Sequence, residues 1–234
     1  MAPGEKPEPG LYLIATPIGN LGDVTRRAIS TMEGVDRLYA EDTRHSRKLL
    51  NHLGIDRHLS ACHEHNEAAV SVDVIRAIEA GESCGLISDA GSPGISDPGF
   101  RLVRACRKAG LPVTPVPGPS AVIAALSVSG LPTDSFHFVG FLPPKRAARL
   151  RQFAEVKDSS ETQVYFESTH RIDKFMEDAE AVFGPDRVIC IARELTKQHE
   201  SILTGPIGEV KDRFAKGSSK GEFVVLIAKK EYVL

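Results

Sequence analysis

Residues 83–99 read SCGLISDAGSPGISDPG, and this stretch decides how the chain is organised. The apolar run at 84–87 predicts a buried strand, which stops at Ser88 and Asp89 and opens into a loop rich in glycine and proline. A strand that ends in such a loop before a helix forms a ligand crevice at the carboxyl end of a parallel sheet. Glycine lets the backbone adopt positive φ and approach a ligand closely. The alternative is a connecting loop that binds nothing, because loops of this composition are common in α/β proteins.

The same rhythm of strand, loop and helix continues on both sides of this stretch. Strands are predicted at 11–15, 35–40, 58–62, 83–88 and 113–116, and helices at 23–33, 43–53, 66–80 and 98–109. Asp23 is the expected N-cap of the first helix, and Gly54 the expected end of the second. Such an alternation predicts a mainly parallel sheet covered by helices.

The pattern changes after residues 129–132. Strands are predicted at 136–141, 162–167, 187–192, 199–204 and 222–228, and helices at 145–155, 169–183 and 206–216. The strands at 187–192 and 199–204 are close in sequence, which favours an antiparallel pair within a mixed sheet. We therefore expect two α/β domains, residues 1–130 and 131–234, with a ligand in the cleft between them.

The composition of the chain excludes some classes of protein. The chain has 234 residues, 41 % apolar and 26 % charged, which is ordinary for a globular protein. No apolar run reaches the length of about 18 residues that a membrane span needs. The polar start, MAPGEKPEPG, predicts a short disordered tail and no signal peptide. Since the net charge is −2, binding of nucleic acid would depend on local basic patches.

The four cysteines are Cys62, Cys84, Cys106 and Cys190, and none of them forms a CxxC pair. This usage favours reduced thiols in the core of a cytoplasmic protein over a zinc site or a disulfide framework.

Residues 40–48 read AEDTRHSRK and follow the second predicted strand. They bring Glu41 and Asp42 to the crevice edge, with Arg44, Arg47 and Lys48 on the next helix. An acid beside a base can orient a hydroxyl group, and clustered cations can hold phosphates. The alternative is a capped helix whose first turn is charged and solvated.

Three further loops carry polar groups. Residues 16–23, TPIGNLGD, resemble a dinucleotide fingerprint only loosely because the spacing is not GxGxxG. Residues 117–121, PGPSA, place Ser120 at a helix N-terminus, where its hydroxyl and N–H can meet a ligand. In CHEHN at 62–66, His63 and His65 point the same way, as two metal ligands could. No other histidine has matching spacing, so a role at the substrate edge or in structure is preferred and no metal is predicted.

The second half holds a basic segment and two polar strand ends. GFLPPKRAARLR at 140–151 contains four cations, Lys145, Arg146, Arg149 and Arg151, at a helix start suited to phosphates. A solvated helix face is the alternative. YFESTHR at 165–171 and RELTKQHE at 193–200 place Arg, Glu and His at strand ends.

Together these motifs resemble the tetrapyrrole methylase superfamily, and within it the bacterial branch that methylates the ribose 2′-hydroxyl of a cytidine in 16S rRNA. The strings that carry the resemblance span residues 16–228: TPIGNLGD, AEDTR, HEHNE, SDAGSPGISDPG, PGPSA, GFLP, ES-x-HR, RELTK-x-HE and GEFVVLI. Cobalamin- and sirohaem-pathway members have a GxGxGD-type first loop instead. Thr169 departs from the family, which usually has proline in ES-P-HR.

The resemblance implies S-adenosylmethionine, bound in a folded form in the interdomain cleft, a homodimer, and an rRNA substrate within the 30S subunit. Carried over by position, the cofactor contacts would be Leu21, Asp89, Ser92, Ser120, Ala121, Glu167, Ser168, Leu195 and Gly221. The methyl group of this cofactor is already activated, so the protein mainly aligns the attacking oxygen. No metal is required.

A ribose hydroxyl is a poor nucleophile and needs a base or a stabilising cation. The candidates are Asp42, Arg44 and Glu167, and the candidate RNA contacts are Arg47, Lys48, Lys145, Arg146 and Arg149. One alternative is a methyltransferase of the same fold that acts on a tetrapyrrole, which the basic stretches at 44–48 and 145–151 disfavour. Another is a non-catalytic nucleotide- or RNA-binding module, which the many polar residues at strand ends disfavour.

Overall fold

The structure, a computed structural model, describes residues 6–234, so the first half of the predicted N-terminal tail lies outside the described residues. The chain divides into two compact α/β units, Met1–Ser120 and Ala121–Leu234. Among the described residues, no helix combines the length and the apolar character that crossing a bilayer requires.

The first unit is built on a five-stranded sheet in the order β3-β2-β4-β1-β5, with every neighbouring pair parallel. All five strands therefore end at one edge of the sheet, as the alternating pattern predicted. The strands are β1 (Gly10–Ile14), β2 (Arg37–Ala40), β3 (Leu59–Ala61), β4 (Ser83–Ile87) and β5 (Val113–Val116). The helices are α1 (Arg26–Gly34), α2 (Thr43–Leu53), α3 (Glu67–Glu79) and α4 (Phe100–Lys108).

Apolar side chains cover both faces of this sheet. Ile14, Leu38 and Leu50 belong to one buried cluster, with α1 and α2. Leu11 and Leu86 belong to the other, with α3 and α4. Because successive strand residues face opposite sides, one short strand serves both clusters, which is why the central strands are almost wholly apolar. All four cysteines are buried and free, as predicted.

The second unit has a mixed five-stranded sheet in the order β6-β7-β10-β8-β9. The β6–β7 pair is parallel and the other three pairs are antiparallel, including the predicted β8–β9 pair. The strands are β6 (Phe136–Phe141), β7 (Thr162–Ser168), β8 (Val188–Arg193), β9 (Ser201–Pro206) and β10 (Glu222–Ile227). The helices are α5 (Ala121–Ser129), α6 (Arg146–Glu155), α7 (Ile172–Phe183) and α8 (Ile207–Phe214).

The core of the second unit is aromatic. Phe153 lies edge-to-face against Tyr165, Phe175 and Phe183, with ring centroids 5.1–5.7 Å apart. Helix α5 packs on β8, β9 and β10 and so belongs to this unit. The sequence boundary after residue 130 follows α5, whereas the structure divides the chain before it.

The predicted start of the first helix is wrong. Asp23 lies in a short 3₁₀ turn, Leu21–Asp23, which Asn20 caps by accepting the Gly22 N–H. Thr25 is the N-cap of α1, and its hydroxyl oxygen accepts the Ala28 N–H at 3.1 Å. Asn20, Asp23 and Thr25 are all good capping residues, so composition alone does not choose among them.

Candidate functional site

The loops after β1 and β4 are joined at the carboxyl edge of the first sheet. The Thr16 N–H donates to the Gly91 carbonyl at 2.9 Å, and the Gly91 N–H donates back to the Thr16 carbonyl at 3.1 Å. The Thr16 hydroxyl also donates to the Ser88 carbonyl at 3.1 Å. Gly91 has a φ of +75°, a conformation that strongly favours glycine. Leu21, Asp89 and Ser92 lie on these two loops.

The loop after β5 packs on the end of β1. A Cβ on Gly118 would lie 3.0 Å from the Cβ of Ala15, so a side chain at this position would force Ala15 to shift. Ser120 and Ala121 follow, and Ala121 is the first residue of α5. The loops after β1, β4 and β5 therefore meet at one edge, as predicted for a ligand crevice.

A buried carboxylate fixes the far end of the loop after β4. Glu67, only 4 % exposed, accepts the N–H groups of Gly99 and Leu102 through its Oε1, each at 3.0 Å. These are N–H groups of the first turn of α4, which have no partner within the helix. Sequence reasoning did not find this role, because the helix that Glu67 caps begins more than thirty residues later in the chain.

Carboxylates cluster where β2 and β4 end. The Asp42 N–H donates to Asp89 Oδ1 at 3.2 Å, which ties the two strand ends together. Burial raises the pKa of Glu41 to about 7, and the negative charges of Asp97 and Asp89 add to the effect. Burial also raises the pKa of Asp97 to about 6, with Asp89 contributing. Glu41 therefore changes its protonation near neutral pH, and it was not among the predicted catalytic residues.

The side chains of Asp42 and Arg44 form a salt bridge. Asp42 is the N-cap of α2, and its Oδ1 accepts the N–H groups of Arg44 at 2.8 Å and His45 at 3.4 Å. Arg44 Nη2 lies 3.1 Å from Asp42 Oδ2. Hydrogen bonds from Arg44 lower the pKa of Asp42 to about 2. This is the capped, charged helix start that the sequence left open as the alternative, and so acidic a group takes up a proton poorly.

The predicted RNA-contacting cations are placed differently from one another. Lys48, Lys145 and Arg146 are exposed. Arg47 is half-buried and donates to the Arg57 carbonyl at 2.8 Å. The prediction is wrong for Arg149, because its side chain is 4 % exposed and is paired with a carboxylate in the interior of the second unit.

In the second unit, the ends of β7 and β8 and the start of β10 meet at one edge. Ser168 is opposite Glu222, and Arg193 is opposite Phe223. The Thr169 hydroxyl accepts the Gly221 N–H at 2.7 Å and donates to the Gly221 carbonyl at 2.8 Å. A proline here could make neither bond. Thus Ser168 and Gly221, both predicted cofactor contacts, lie close together.

Gly221 comes directly before β10, and Leu195 lies in the turn after β8, so both are at this edge. Gly221 has a φ of +119°, and a Cβ there would lie 2.6 Å from the Glu194 Cγ, so a side chain does not fit. Leu195 is buried in the turn after β8, where the Glu194 N–H donates to the Glu222 carbonyl at 2.9 Å.

Glu167, at the end of β7, has a buried oxygen without a partner. Its Oε1 accepts the Ser168 N–H at 3.2 Å and lies 3.2 Å from Arg171 Nε, but its Oε2 has no hydrogen bond. Burial raises the pKa of this carboxyl, against the opposing effect of the Ser168 N–H and of Arg171. A buried acceptor without a donor is costly, so this oxygen is suited to a ligand that donates.

The two histidines of the CHEHN segment contact each other edge-to-face, with ring centroids 6.0 Å apart. The His63 N–H donates to the Asn66 Oδ1 at 2.8 Å, which begins the turn into α3. Within residues 6–234, no group of three or more His, Cys, Asp or Glu side chains is arranged to hold a metal ion.

The donor and acceptor groups present fit S-adenosylmethionine. This cofactor carries positive charge on its sulfur and amino group, and its hydroxyls and adenine amine donate hydrogen bonds. Taken by itself, the carboxyl edge of the first sheet offers the carboxylates of Glu41, Asp89 and Asp97. Within the second unit, Glu167 Oε2 is a buried acceptor without a partner. Opposite charge and open acceptors are what such a ligand needs.

Known proteins share this architecture and much of this sequence. The family model described as Tetrapyrrole (Corrin/Porphyrin) Methylases matches residues 10–211. A relative from Xylella fastidiosa (strain Temecula1 / ATCC 700964) is 49 % identical over 219 residues, which cover 93 % of this chain and 80 % of the relative. One from Vibrio cholerae is 47 % identical, covering 94 % of this chain and 77 % of the relative. Both are named "Ribosomal RNA small subunit methyltransferase I".

Among solved structures, uroporphyrin-III-C-methyltransferase from Thermus thermophilus superposes with a TM-score of 0.63 at 20 % identity, covering 94 % of each chain. At that identity the likeness supports the fold alone. Methyltransferases of this family use S-adenosylmethionine, so the predicted cofactor is confirmed. From its strand-end loops, its family match and its relatives, the chain belongs to the tetrapyrrole methylase family, as its motifs predicted.

Proposed function

We propose that this chain transfers a methyl group from S-adenosylmethionine to the 2′-hydroxyl of a cytidine in 16S rRNA. The names of relatives at 44–49 % identity support methylation of small-subunit rRNA. The observation that carries the chemical part is the carboxyl edge of the first sheet. There a half-buried carboxylate with a pKa of about 7, Glu41, lies among the motif-bearing loops.

The cofactor supplies a methyl group that its sulfonium centre activates. The protein must hold the ribose oxygen in line and accept its proton. Glu41 has a pKa matched to that task at neutral pH, whereas Asp42, ionised and paired with Arg44, is suited to orienting the substrate. Glu167 is the alternative proton acceptor.

The proposed cofactor contacts are those carried over by motif: Leu21, Asp89, Ser92, Ser120, Ala121, Glu167, Ser168, Leu195 and Gly221. Arg47, Lys48, Lys145 and Arg146 are the proposed RNA contacts. We further propose that the substrate is the assembled 30S subunit, that the enzyme is a homodimer, and that it works in the cytoplasm.

The function is tested by methyl transfer from labelled S-adenosylmethionine. We expect incorporation into 30S subunits at one cytidine, where the methylated ribose blocks alkaline cleavage of the next phosphodiester. Free 16S rRNA and a tetrapyrrole acid are the parallel substrates. Transfer to the tetrapyrrole alone, or binding of RNA without turnover, would replace the proposal with one of its alternatives.

Replacing Asp89 by Ala should weaken cofactor binding. The variant loses a charged acceptor, which is worth about 1.5–3 kcal/mol, or about 10- to 150-fold in affinity. Calorimetry with S-adenosylmethionine measures the change. Asp73→Ala, on the exposed face of α3, is the matched control and should bind normally. A folded Asp89→Ala variant with unchanged affinity would place the cofactor elsewhere.

Replacing Lys145 and Arg146 together by Gln should reduce the salt dependence of 30S binding. Each phosphate contact contributes about 0.7–0.9 to the slope of log affinity against log salt, so a loss of about one to two units is expected. Cofactor affinity should not change. Lys174→Gln with Arg213→Gln, two exposed cations on α7 and α8, is the control pair. A wild-type slope in the first variant would mean that Lys145 and Arg146 face solvent and do not contact the RNA.

A further inference from the structure

Three consecutive carbonyl groups, those of Leu142, Pro143 and Pro144, accept hydrogen bonds from arginine side chains. Arg171 Nη2 donates to the Leu142 and Pro143 carbonyls, and Arg149 Nη1 donates to the Pro144 carbonyl at 3.5 Å. This 142–144 segment joins β6 to α6. Because proline has no N–H, two of its three residues cannot donate a backbone hydrogen bond. The guanidinium groups therefore supply the polar contacts that hold the segment.

Both arginines are themselves anchored by buried carboxylates. Arg149 Nε and Nη2 donate to Asp178 Oδ2 at 2.8 and 2.5 Å, and the two side chains are 4 % and 2 % exposed. Arg171 is paired with Glu167, whose side chain is fully buried. A buried ion pair must have good geometry to offset its desolvation, and the two hydrogen bonds from Arg149 to Asp178 meet that condition. Arg171 Nε lies 3.2 Å from Glu167 without a hydrogen bond, so Glu167 attracts Arg171 by charge while the Nη2 contacts fix its direction. The anchors come from α7 and β7, two elements of the core.

The 142–144 segment leads directly into the exposed cations. Lys145 is the N-cap residue of α6, and Arg146 is the first residue of that helix. Asp178 also holds Arg146, whose Nε donates to Asp178 Oδ1 at 2.8 Å. One buried carboxylate thus contacts both the inner arginine that holds the segment and the outer arginine that reaches solvent.

We propose that Arg149 and Arg171 are positioning residues for the RNA substrate: they hold the 142–144 segment so that Lys145 and Arg146 face the phosphate backbone in one arrangement. This inference rests on the proposed function, since it assigns those two cations to RNA. Arg149 acts through the segment and through Asp178, and it does not touch the RNA. Arginine suits this role because its planar fork donates in several fixed directions, whereas lysine offers a single point charge.

The test uses the full-length enzyme and 30S subunits. In Arg171→Met, 30S affinity should fall about 10-fold at low salt, and the salt slope should drop by about one to two units. Arg171→Lys should restore the positive charge but little of the slope, because one ammonium nitrogen cannot face Glu167 and also reach the carbonyls that Arg171 contacts through a separate nitrogen. Cofactor affinity and melting temperature are measured alongside, so that any effect through Glu167 is separated from the effect on RNA.

A double-mutant cycle makes the test specific. Adding Arg171→Met to the variant in which Lys145 and Arg146 are Gln should cause no further loss of slope, because the segment then positions nothing. The matched control is Arg187→Met. Arg187 also donates to two carbonyls, of Lys157 at 2.9 Å and Ala228 at 3.1 Å, but it lies before β8, at the opposite edge of the same sheet. It should keep the wild-type slope.

Three results would overturn the proposal: a wild-type slope in Arg171→Met, an additive loss in the cycle, or an equal loss in Arg187→Met. Failure of the proposed function gives a different result, namely wild-type enzyme that does not bind 30S subunits at all. In that case the mobility of the 142–144 segment can still be measured, from the rate at which trypsin cleaves after Lys145 and Arg146. Cleavage there should be faster in Arg171→Met than in Arg187→Met. Equal rates would contradict the claim that Arg171 holds the 142–144 segment.

Discussion

Glu41→Gln is expected to lower kcat by about 10²-fold or more, the usual scale for a positioned acid–base group. The amide keeps the size of the side chain but cannot accept the ribose proton. In wild-type enzyme kcat/KM should rise with pH up to about 7, because only the ionised form of Glu41 is active and its pKa is about 7. The variant should lose that rise. Steady-state rates with 30S subunits from pH 5 to 9 measure both effects.

The neighbouring carboxylate provides the control. Asp42→Asn should fold normally, because asparagine is as good an N-cap as aspartate. Its kcat should fall less than that of Glu41→Gln and should keep the pH dependence. Arg44→Gln removes the partner of Asp42 and should behave in the same way. A larger loss of kcat in Asp42→Asn than in Glu41→Gln would identify Asp42 as the general base. Wild-type kcat in all three variants would favour Glu167.

Asp178→Asn is expected to destabilise the second unit by about 3–5 kcal/mol, because it leaves the buried Arg149 guanidinium without its counter-charge. Chemical denaturation of the purified variant measures the loss. The same change at Asp158, in the exposed pair with Lys230, should have little effect.

A double replacement separates the lost pair from the general disturbance of the core. Arg149→Met with Asp178→Leu removes both charges and should recover most of the stability, since an apolar pair needs no compensation. If Asp178→Asn alone were as stable as wild type, the pair would not be buried as described.

Local signals explain which elements the sequence predicts well. Helix α2 runs over the predicted residues because both ends are marked: Asp42 caps its start, and Gly54, with a φ of +70°, ends it. The parallel sheet follows from strand spacing. Strand order and the packing of α5 depend on contacts between distant segments, which a single sequence does not contain.

The site was predictable in its loops and less so in its individual side chains. The strand-end position of Glu41, Asp89 and Ser120 follows from the alternating pattern alone. The error at Arg149 had a signal, because Arg149 is one helical turn before the buried Phe153 and so faces the same way. The pairing of Arg149 with Asp178 could not be predicted, since nothing in the local sequence links two residues 29 positions apart.

The two hydrogen bonds between Thr16 and Gly91 affect which loops can be exchanged between related enzymes to make a functional chimaera. Each of the two loops supplies both the backbone donor and the backbone acceptor that the other needs. The Thr16 hydroxyl, which donates to the Ser88 carbonyl, and the positive φ of Gly91 make this junction depend on the residues of both loops. A chimaera that imports only the first loop from a relative would inherit a mismatched surface, even where every imported residue is acceptable by itself. Recombination in this family should therefore succeed when residues 15–25 and 88–99 are transplanted as a pair.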